Sequence, residues 1–407
     1  MRIIVQKFGG TSVSTPAVRE CLVRHVASAL ADGWRVVVVV SAMGREGDEY
    51  STDTLLKQAR MAGTPTPRDL DLIASCGEVI AAVVVASALR AQGIPAVPLT
   101  GGQAGIVTDG RYSRATVLKV DVVRLKDLLE QGHVAVVCGF QGVSATGEVT
   151  TLGRGGSDTT AAALGAALGA DVVDIFTDVD GVMTADPRLV PGARPLPVAT
   201  YHEMFQMAQH GAKVIHPAAV EISMRGNVPL RVRATAGKGE GTLITNEAAS
   251  SSLRPEVRPE RAITGVTHLT GIAQVRVRPS QQQSGVDLAL FTSLADAGVS
   301  VDLINVSPDL KSFTVKAEEL PTAVQVLQGL SVNVSTQPKC AKVSVVGVGM
   351  RGVPGVMANV VSALHSAGVE ILQTADSHLS ISCLIHADDT VRAVRALHEQ
   401  FGLDADR

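Results

Sequence analysis

A chain of 407 residues holding 36 Lys and Arg against 39 Asp and Glu, for a net charge of −3, is too long for one ordinary core and carries no electrostatic footprint for nucleic acid or an anionic membrane. One Trp, three Tyr and seven Phe among abundant Val, Ala, Leu and Gly suit an α/β protein with buried parallel strands and exclude fibrous or disordered classes. Five cysteines (Cys21, Cys76, Cys138, Cys340, Cys383) lie singly, without a CxxC or a disulfide framework, and read as reduced and non-catalytic.

The N-terminus turns polar by Gln6 and Lys7, too soon for a signal peptide. Uninterrupted apolar runs such as Val36 to Val40 and Val79 to Ala86 fall short of the ~18 residues a bilayer span needs, so the chain is expected to be cytoplasmic. From residue 1 to 245, short Val- and Ile-rich runs alternate with amphipathic stretches, the pattern of βα units in an open, mainly parallel sheet. Strands are expected at Ile3 to Gln6, Arg35 to Val40, Ala96 to Leu99, His133 to Gly139, Val172 to Thr177 and Pro229 to Val232, and helices at Ala17 to Ala31, Gly77 to Ala91, Ser157 to Leu168 and Tyr201 to His210. Several strands run into Gly-rich turns, the edge at which an open α/β sheet binds its ligand.

The first such turn, Lys7-Phe8-Gly9-Gly10-Thr11-Ser12, places a lysine and two glycines where backbone amides can approach an anion and the ammonium can face a transferring phosphoryl group. Taken alone it is equally an ordinary turn with a solvated lysine. A stronger signal is Leu152-Gly153-Arg154-Gly155-Gly156-Ser157-Asp158-Thr159, a Gly-rich loop feeding an Ala-rich helix, with Ser157 or Asp158 as the expected N-cap. Capping accounts for Ser157 and Asp158 but not for three glycines around an arginine. No GxxxxGK[ST] loop exists; the nearest string, Gly237-Lys238-Gly239, has no hydroxyl residue after it.

Phe176-Thr177-Asp178-Val179-Asp180-Gly181, followed by Met183-Thr184-Ala185-Asp186-Pro187-Arg188, puts acidic groups at a strand end, either beside a nucleotide or in an Asx turn. Lys213 is a second candidate cation for phosphates, while Ser41, Thr52, Asp53 and Glu78 offer partners for a small polar substrate. Glu78 stands in an apolar helix, where an unpaired buried carboxylate is costly. His202, His210 and His216 are spaced too widely for a zinc site, and no metal-binding protein cluster is expected.

Residues 246–260 contain two prolines and three serines with little periodicity, and read as a linker. Beyond them the chain repeats itself without gaps at a spacing of 70 residues: Leu294, Gly298, Ser307, Val315 and Leu327 recur as Leu364, Gly368, Ser377, Ile385 and Leu397. Each copy reads strand, helix, strand, strand, helix. Modules at 261–337 and 338–407 are therefore expected to be ferredoxin-like α+β units that pair within or between chains. Gly347, Gly349 and Gly352 imitate a dinucleotide fingerprint, but the 55 residues after Gly352 cannot supply a Rossmann sheet.

Five motifs in order, Lys7 to Val13, Ser41 to Gly44, Gly77-Glu78, Leu152 to Asp158 and Phe176 to Arg188, together with a doubled C-terminal module, resemble over the whole length the aspartokinases of monofunctional Bacillus type. These are amino-acid kinases with C-terminal ACT domains. The resemblance implies a carbamate-kinase-like fold over 1–245 that binds ATP, Mg2+ and L-aspartate. It implies Lys7 at the transferring phosphoryl group and Asp158 organising the lysines. Arg154 and Glu78 would be at the α-carboxylate and α-amino group of aspartate, and Ser41, Thr52, Gly155, Gly156 and Ser157 in the same pocket. Phe8, Gly9, Gly10, Thr177, Asp178, Met183, Thr184, Ala185, Asp186, Pro187, Arg188 and Lys213 would lie around the nucleotide. It further implies a homodimer or larger homo-oligomer through the ACT modules, and an amino-acid effector (diaminopimelate, lysine or threonine) near Gln283, Asp302 and Asn305. The first module carries Gln281-Gln282-Gln283-Ser284-Gly285 where the second has Val353-Pro354-Gly355-Val356, which speaks against concerted inhibition by lysine and threonine, while the likeness to the Bacillus-type enzymes implies diaminopimelate as the effector. The competing readings are a glutamate or acetylglutamate kinase and a catalytically dead amino-acid sensor; retention of Lys7, Arg154 and Asp158 speaks against the sensor.

Overall fold

The computed structural model describes residues 1–237, 239–246, 263–279, 285–330, 332–348, 350 and 353–404. Gln283 and nearly all of the expected linker lie outside the described residues. The chain forms two compact units: Met1–Val182 with Pro195–Ala208 and Lys213–Glu256, and Met183–Arg194 with Gln209–Ala212 and Val257–Arg407.

The first unit is built on an eight-stranded sheet in the order β10 (Val198–Thr200), β12 (Thr242–Thr245), β11 (Leu230–Ala234), β9 (Val172–Thr177), β1 (Ile3–Phe8), β2 (Arg35–Val40), β6 (Val134–Cys138) and β3 (Ala96–Leu99). All neighbours are parallel except β11 and β12. The central strands are buried over nearly all their length, as Val36 to Val40 of β2 and all of β6 show, because helices cover both faces. Leu22 and Val26 of α1 (Pro16–Ala31) and Ala81, Val85 and Leu89 of α3 (Pro67–Ala91) pack with Ile4, Val36, Val38 and Val136. On the first unit's other helices, α5 (Gly156–Leu168) lies against β1 and β9 and alongside α7 (Pro217–Gly226).

The expected strands and helices all form, some a few residues longer or shorter. The largest departure is α3, which starts at Pro67 rather than Gly77. Thr66 caps it by accepting from the Asp69 N–H while the Asp69 carboxylate takes the Thr66 N–H, and proline occupies the first turn. The helix is long and apolar enough to cross a membrane, yet ten of its residues are buried in the first unit. A second small sheet, in the order β5 (Val117–Val120), β4 (Ile106–Thr108), β7 (Gln141–Ser144) and β8 (Val149–Thr151), and helices α2 (Thr52–Ala62), α4 (Val123–Glu130) and α6 (Tyr201–Gln209) complete the elements named here.

The second unit is one six-stranded antiparallel sheet, β14 (Asp302–Val306), β15 (Lys311–Lys316), β13 (Gly265–Pro279), β16 (Val332–Val346), β18 (Ser380–His386) and β17 (Gln373–Asp376). The 70-residue repeat is visible in its helices: α8 (Val286–Asp296) and α10 (Val356–Ser366) each begin after a left-handed glycine, Gly285 at φ 93° and Gly355 at φ 94°. The last pair, α9 (Leu320–Gln328) and α11 (Thr390–Gln400), keeps the same offset. The two 15-residue strands β13 and β16 each serve both modules. Val275 to Pro279 pair with residues 332–336 beside β15, while Gly265 to Leu269 pair with Lys342 to Val346 beside β18. The second module thus takes a strand from the chain preceding the first, and the two modules form one continuous sheet.

Candidate active site

The loops after β1, β2 and β6, the entry to α5 and one face of α3 enclose a cavity of about 630 Å³ in the first unit. Its wall includes Lys7, Gly9, Gly10, Ser41, Thr52, Glu78, Arg154, Gly155, Gly156, Ser157 and Asp158, so residues from four of the five sequence motifs meet in one place.

Lys7 lies at the C-terminal end of β1, and its Nζ stands 2.7 Å from Asp158 Oδ1, both side chains 12% exposed. The other Asp158 oxygen accepts the His216 N–H at 3.2 Å. A carboxylate so held fixes the ammonium beside Gly9 and Gly10. Gly10 must be glycine: a Cβ there would stand 2.6 Å from both the Ala42 and Gly44 carbonyl oxygens. Its place packs the first loop against the second, closing one wall.

The expected cap on α5 is different. Gly155, left-handed at φ 69°, is the N-cap residue, no side chain caps the helix, and Asp158 lies in the first turn. Ser157 and Asp158 are inside the helix because the chain turns one step earlier, where a Cβ on Gly155 would meet the His216 ring at 2.2 Å. The positive end of the α5 dipole therefore faces the cavity beside Arg154 without a competing side-chain oxygen.

Glu78 is 2% exposed. Its Oε1 accepts the Ala42 N–H at 3.0 Å, and its Oε2 has no hydrogen-bond partner among the described residues. Burial pushes the carboxyl up to about 8, against the opposing pull of the Ala42 N–H. An ammonium brought to Oε2 would supply the missing partner.

Two turns earlier on the same helix is Asp71, also 2% exposed and lining the cavity, which the sequence reading did not single out. It accepts from the Ser113 N–H and Oγ and from the Thr151 N–H and Oγ1, all between 2.8 and 3.2 Å. The capping signature Thr66-Pro67-Arg68-Asp69 could have revealed it, since a helix starting there sets Asp71 and Glu78 on one face. Arg45 and Arg60 also line the cavity, and Arg45 reaches Asp178 at 2.7 Å.

Other expected site residues lie elsewhere. The Phe8 ring is fully buried and stacked on Phe176 with centroids 4.5 Å apart, so its side chain belongs to the core and only its backbone is near the first loop. Thr177 bonds Asp178, and Lys213 is exposed; neither these two nor Asp178 line the cavity. Met183 to Arg188 fall in the second unit. There Thr184 bonds His398 at 2.9 Å and Ala185 joins the apolar core, so these two side chains are committed to packing. Asp186 pairs with Arg188, whose guanidinium holds the carboxyl below its ordinary range, and Pro187 lies between them. Asp302 pairs with Lys342 at the edge strand β14, and Asn305 is exposed on the same strand.

A strand-end lysine locked to a carboxylate, Gly-rich loops and a free helix N-terminus define a phosphoryl-transfer site of the kind used on small molecules. The amino acid kinase family model matches residues 2–234, and an ACT domain model matches residues 335–399. Aspartokinase 1 of Bacillus subtilis is 48% identical over 99% of this chain and all of its own length, and the aspartokinase of Geobacillus stearothermophilus 41% over 99% and 98%. The structure of Escherichia coli aspartokinase III in complex with aspartate and ADP superposes with a TM-score of 0.79 at 25% identity, covering 98% of this chain and 99% of that one. The chain belongs to the amino acid kinase family and, within it, to the aspartokinases, which are ATP-dependent kinases.

Proposed function

We propose that the cavity transfers the γ-phosphoryl group of ATP to the β-carboxylate of L-aspartate, giving 4-phospho-L-aspartate. The observation that carries this reading is the Lys7–Asp158 pair in the same cavity as Arg154 and the half-satisfied Glu78. Arg154 takes the α-carboxylate, Glu78 the α-ammonium, and Ser41, Thr52, Gly155, Gly156 and Ser157 shape the remaining wall. One carboxylate oxygen attacks the γ-phosphorus while its bond to the bridging oxygen breaks and ADP departs. The nucleophile is ionised near neutral pH, so no proton is abstracted and positioning with charge neutralisation does the work. Lys7 and the α5 N-terminus meet the charge that spreads over the phosphoryl oxygens.

Gly9 and Gly10 let the backbone approach the phosphates, and Thr177, Asp178 and Lys213 remain the residues proposed for the nucleotide. Mg2+ supplies charge neutralisation on the phosphates. The activity is proposed to stand at the head of lysine (by way of diaminopimelate), threonine and methionine synthesis, in the cytoplasm.

The doubled ACT sheet is proposed to bind an amino-acid effector around Asp302 and Asn305 and to pair two chains, with Ile304 and Val306 exposed on the edge strand β14. Support for an effector comes from Escherichia coli aspartokinase III, whose structure with lysine and aspartate is described as a T state. The test of the reaction is ADP release with aspartate and trapping of the acyl phosphate by hydroxylamine; equal turnover of glutamate, or none of aspartate, overturns it. Titration with diaminopimelate, lysine and threonine tests the regulation, and no response to any removes it.

A further inference from the structure

Asp71 and Glu78 are two buried carboxylates on one helix and one cavity wall, and they differ in what they have left to offer. A carboxylate has about four acceptor sites. Those of Asp71 are filled: Oδ1 takes the Ser113 N–H at 2.9 Å, the Ser113 hydroxyl at 3.2 Å and the Thr151 hydroxyl at 2.9 Å, and Oδ2 takes the Ser113 and Thr151 N–H groups at 2.9 and 2.8 Å. Asp71 cannot also hold a substrate cation. Its effect is on its neighbours.

Ser113 and Thr151 both line the cavity, and each has one hydroxyl proton. With that proton directed to Asp71, the oxygen keeps only lone pairs for anything else. The rest of the local structure holds this arrangement in place. Ser113 sits at φ 65°, a left-handed conformation strained for a non-glycine residue and held here by its two kinds of bond to Asp71. The small sheet that carries Thr151 is fastened to α3 twice more, by Arg68 to Glu148 at 2.7 Å and by the Gln141 side-chain N–H to the Ser75 carbonyl at 2.9 Å.

We infer that Asp71 is a specificity-determining positioning residue: by taking the Ser113 and Thr151 hydroxyl protons it leaves two acceptor-only oxygens on the cavity wall, which select a substrate carrying an ammonium group. A carboxylate meeting those oxygens is repelled, whereas an N–H donor is accepted. The same two hydroxyls, if free to rotate, would donate to a carboxylate and blur the distinction. Asp71 thereby extends the acceptor surface that Glu78 Oε2 begins, without touching the substrate. This rests on the reading that the cavity takes aspartate.

The experiment measures KM for aspartate and for ATP, kcat, and the Ki of succinate, the same dicarboxylate without the ammonium, in the full-length wild type and in Asp71→Asn, Thr151→Val and Thr151→Ser. Asp71→Asn keeps the shape but turns donors toward donors. We expect KM for aspartate to rise at least ~tenfold, with KM for ATP and the Ki of succinate within threefold of wild type. Thr151→Val, which leaves four of the five bonds to Asp71, raises KM for aspartate by a smaller factor, and Thr151→Ser restores it. Parallel loss of aspartate and succinate binding in both Asp71→Asn and Thr151→Val, or a KM for aspartate within threefold of wild type in both, overturns the inference. If Asp71→Asn does not fold, Thr151→Val against Thr151→Ser decides alone. Failure of the wild type to make the hydroxamate from aspartate would instead remove the parent reading.

Discussion

The two sheets of this protein put buried polar groups to different uses. Around the mainly parallel sheet of the first unit, β1, α3 and α5 bring Lys7, Glu78, Asp71 and Asp158 to one cavity, and Glu78 retains an oxygen with no hydrogen-bond partner among the described residues. In the antiparallel sheet of the second unit, Ser344 and Ser382 on adjacent strands share a hydrogen bond of 2.7 Å, and the buried Lys342 of β16 pairs with Asp302 of the edge strand β14, although Thr267 Oγ1 and Gln274 Oε1 of β13 have no hydrogen-bond partner among the described residues. The open oxygen of Glu78 is what a ligand would complete, whereas the polar pairs of the second sheet tie its strands to one another.

The comparison breaks first at Lys7. Lys7→Ala should lower kcat by ~10²–10³, as loss of a charged clamp on the transition state does, while thermal unfolding shifts little; a variant retaining most of its kcat would remove Lys7 from the chemistry. Glu78→Gln should raise KM for aspartate at least ~tenfold, because a charge-assisted bond is lost, and should alter the pH dependence of stability in a fixed direction. The folded carboxyl titrates near 8 against an ordinary 4.5, so the folded state holds the proton more tightly. Its contribution is complete below about 4.5 and fades as pH rises through about 8. The Gln variant should therefore lose less Tm than wild type between pH 6 and 9, measured by calorimetry without ligand. An unchanged slope would mean that Glu78 is not buried as described.

Gly155→Ala should have an intermediate effect. The left-handed backbone costs a side chain roughly 1–2 kcal/mol, and the new Cβ would displace His216, whose N–H holds Asp158. A drop in both Tm and kcat is expected, and wild-type kinetics would show that this hydrogen bond is dispensable. The smallest effect belongs to the second sheet. Ser382→Ala should destabilise by about 1 kcal/mol with turnover unaltered in the absence of effector; a large loss of basal activity would show that the two sheets do not divide their tasks in this way.

Much of this was legible in the amino-acid order. The βα alternation, the sheet edge that binds ligand, the doubled C-terminal module and the Lys7, Glu78 and Arg154 to Asp158 segments follow from periodicity and from where glycines interrupt it, both of which are local properties. Asp71 was missed because an aspartate near a helix start is ordinarily a solvated residue. Only the fold brings Ser113 and Thr151, 42 and 80 residues further along the chain, to its oxygens. The α5 cap moved to Gly155 because His216, far off in sequence, occupies the space beside it.

The sequence by itself determined the two kinds of unit and the charges available for chemistry, since hydrophobic period and residue type are written along the chain, and its ordered motifs carried the resemblance to the aspartokinases. The tertiary structure alone decided which of two buried carboxylates has a free oxygen, how Asp158 is held between Lys7 and His216, and that two modules separated in sequence share the strands of one sheet. Those outcomes depend on contacts across long stretches of chain, and no local pattern records which donor will reach which acceptor.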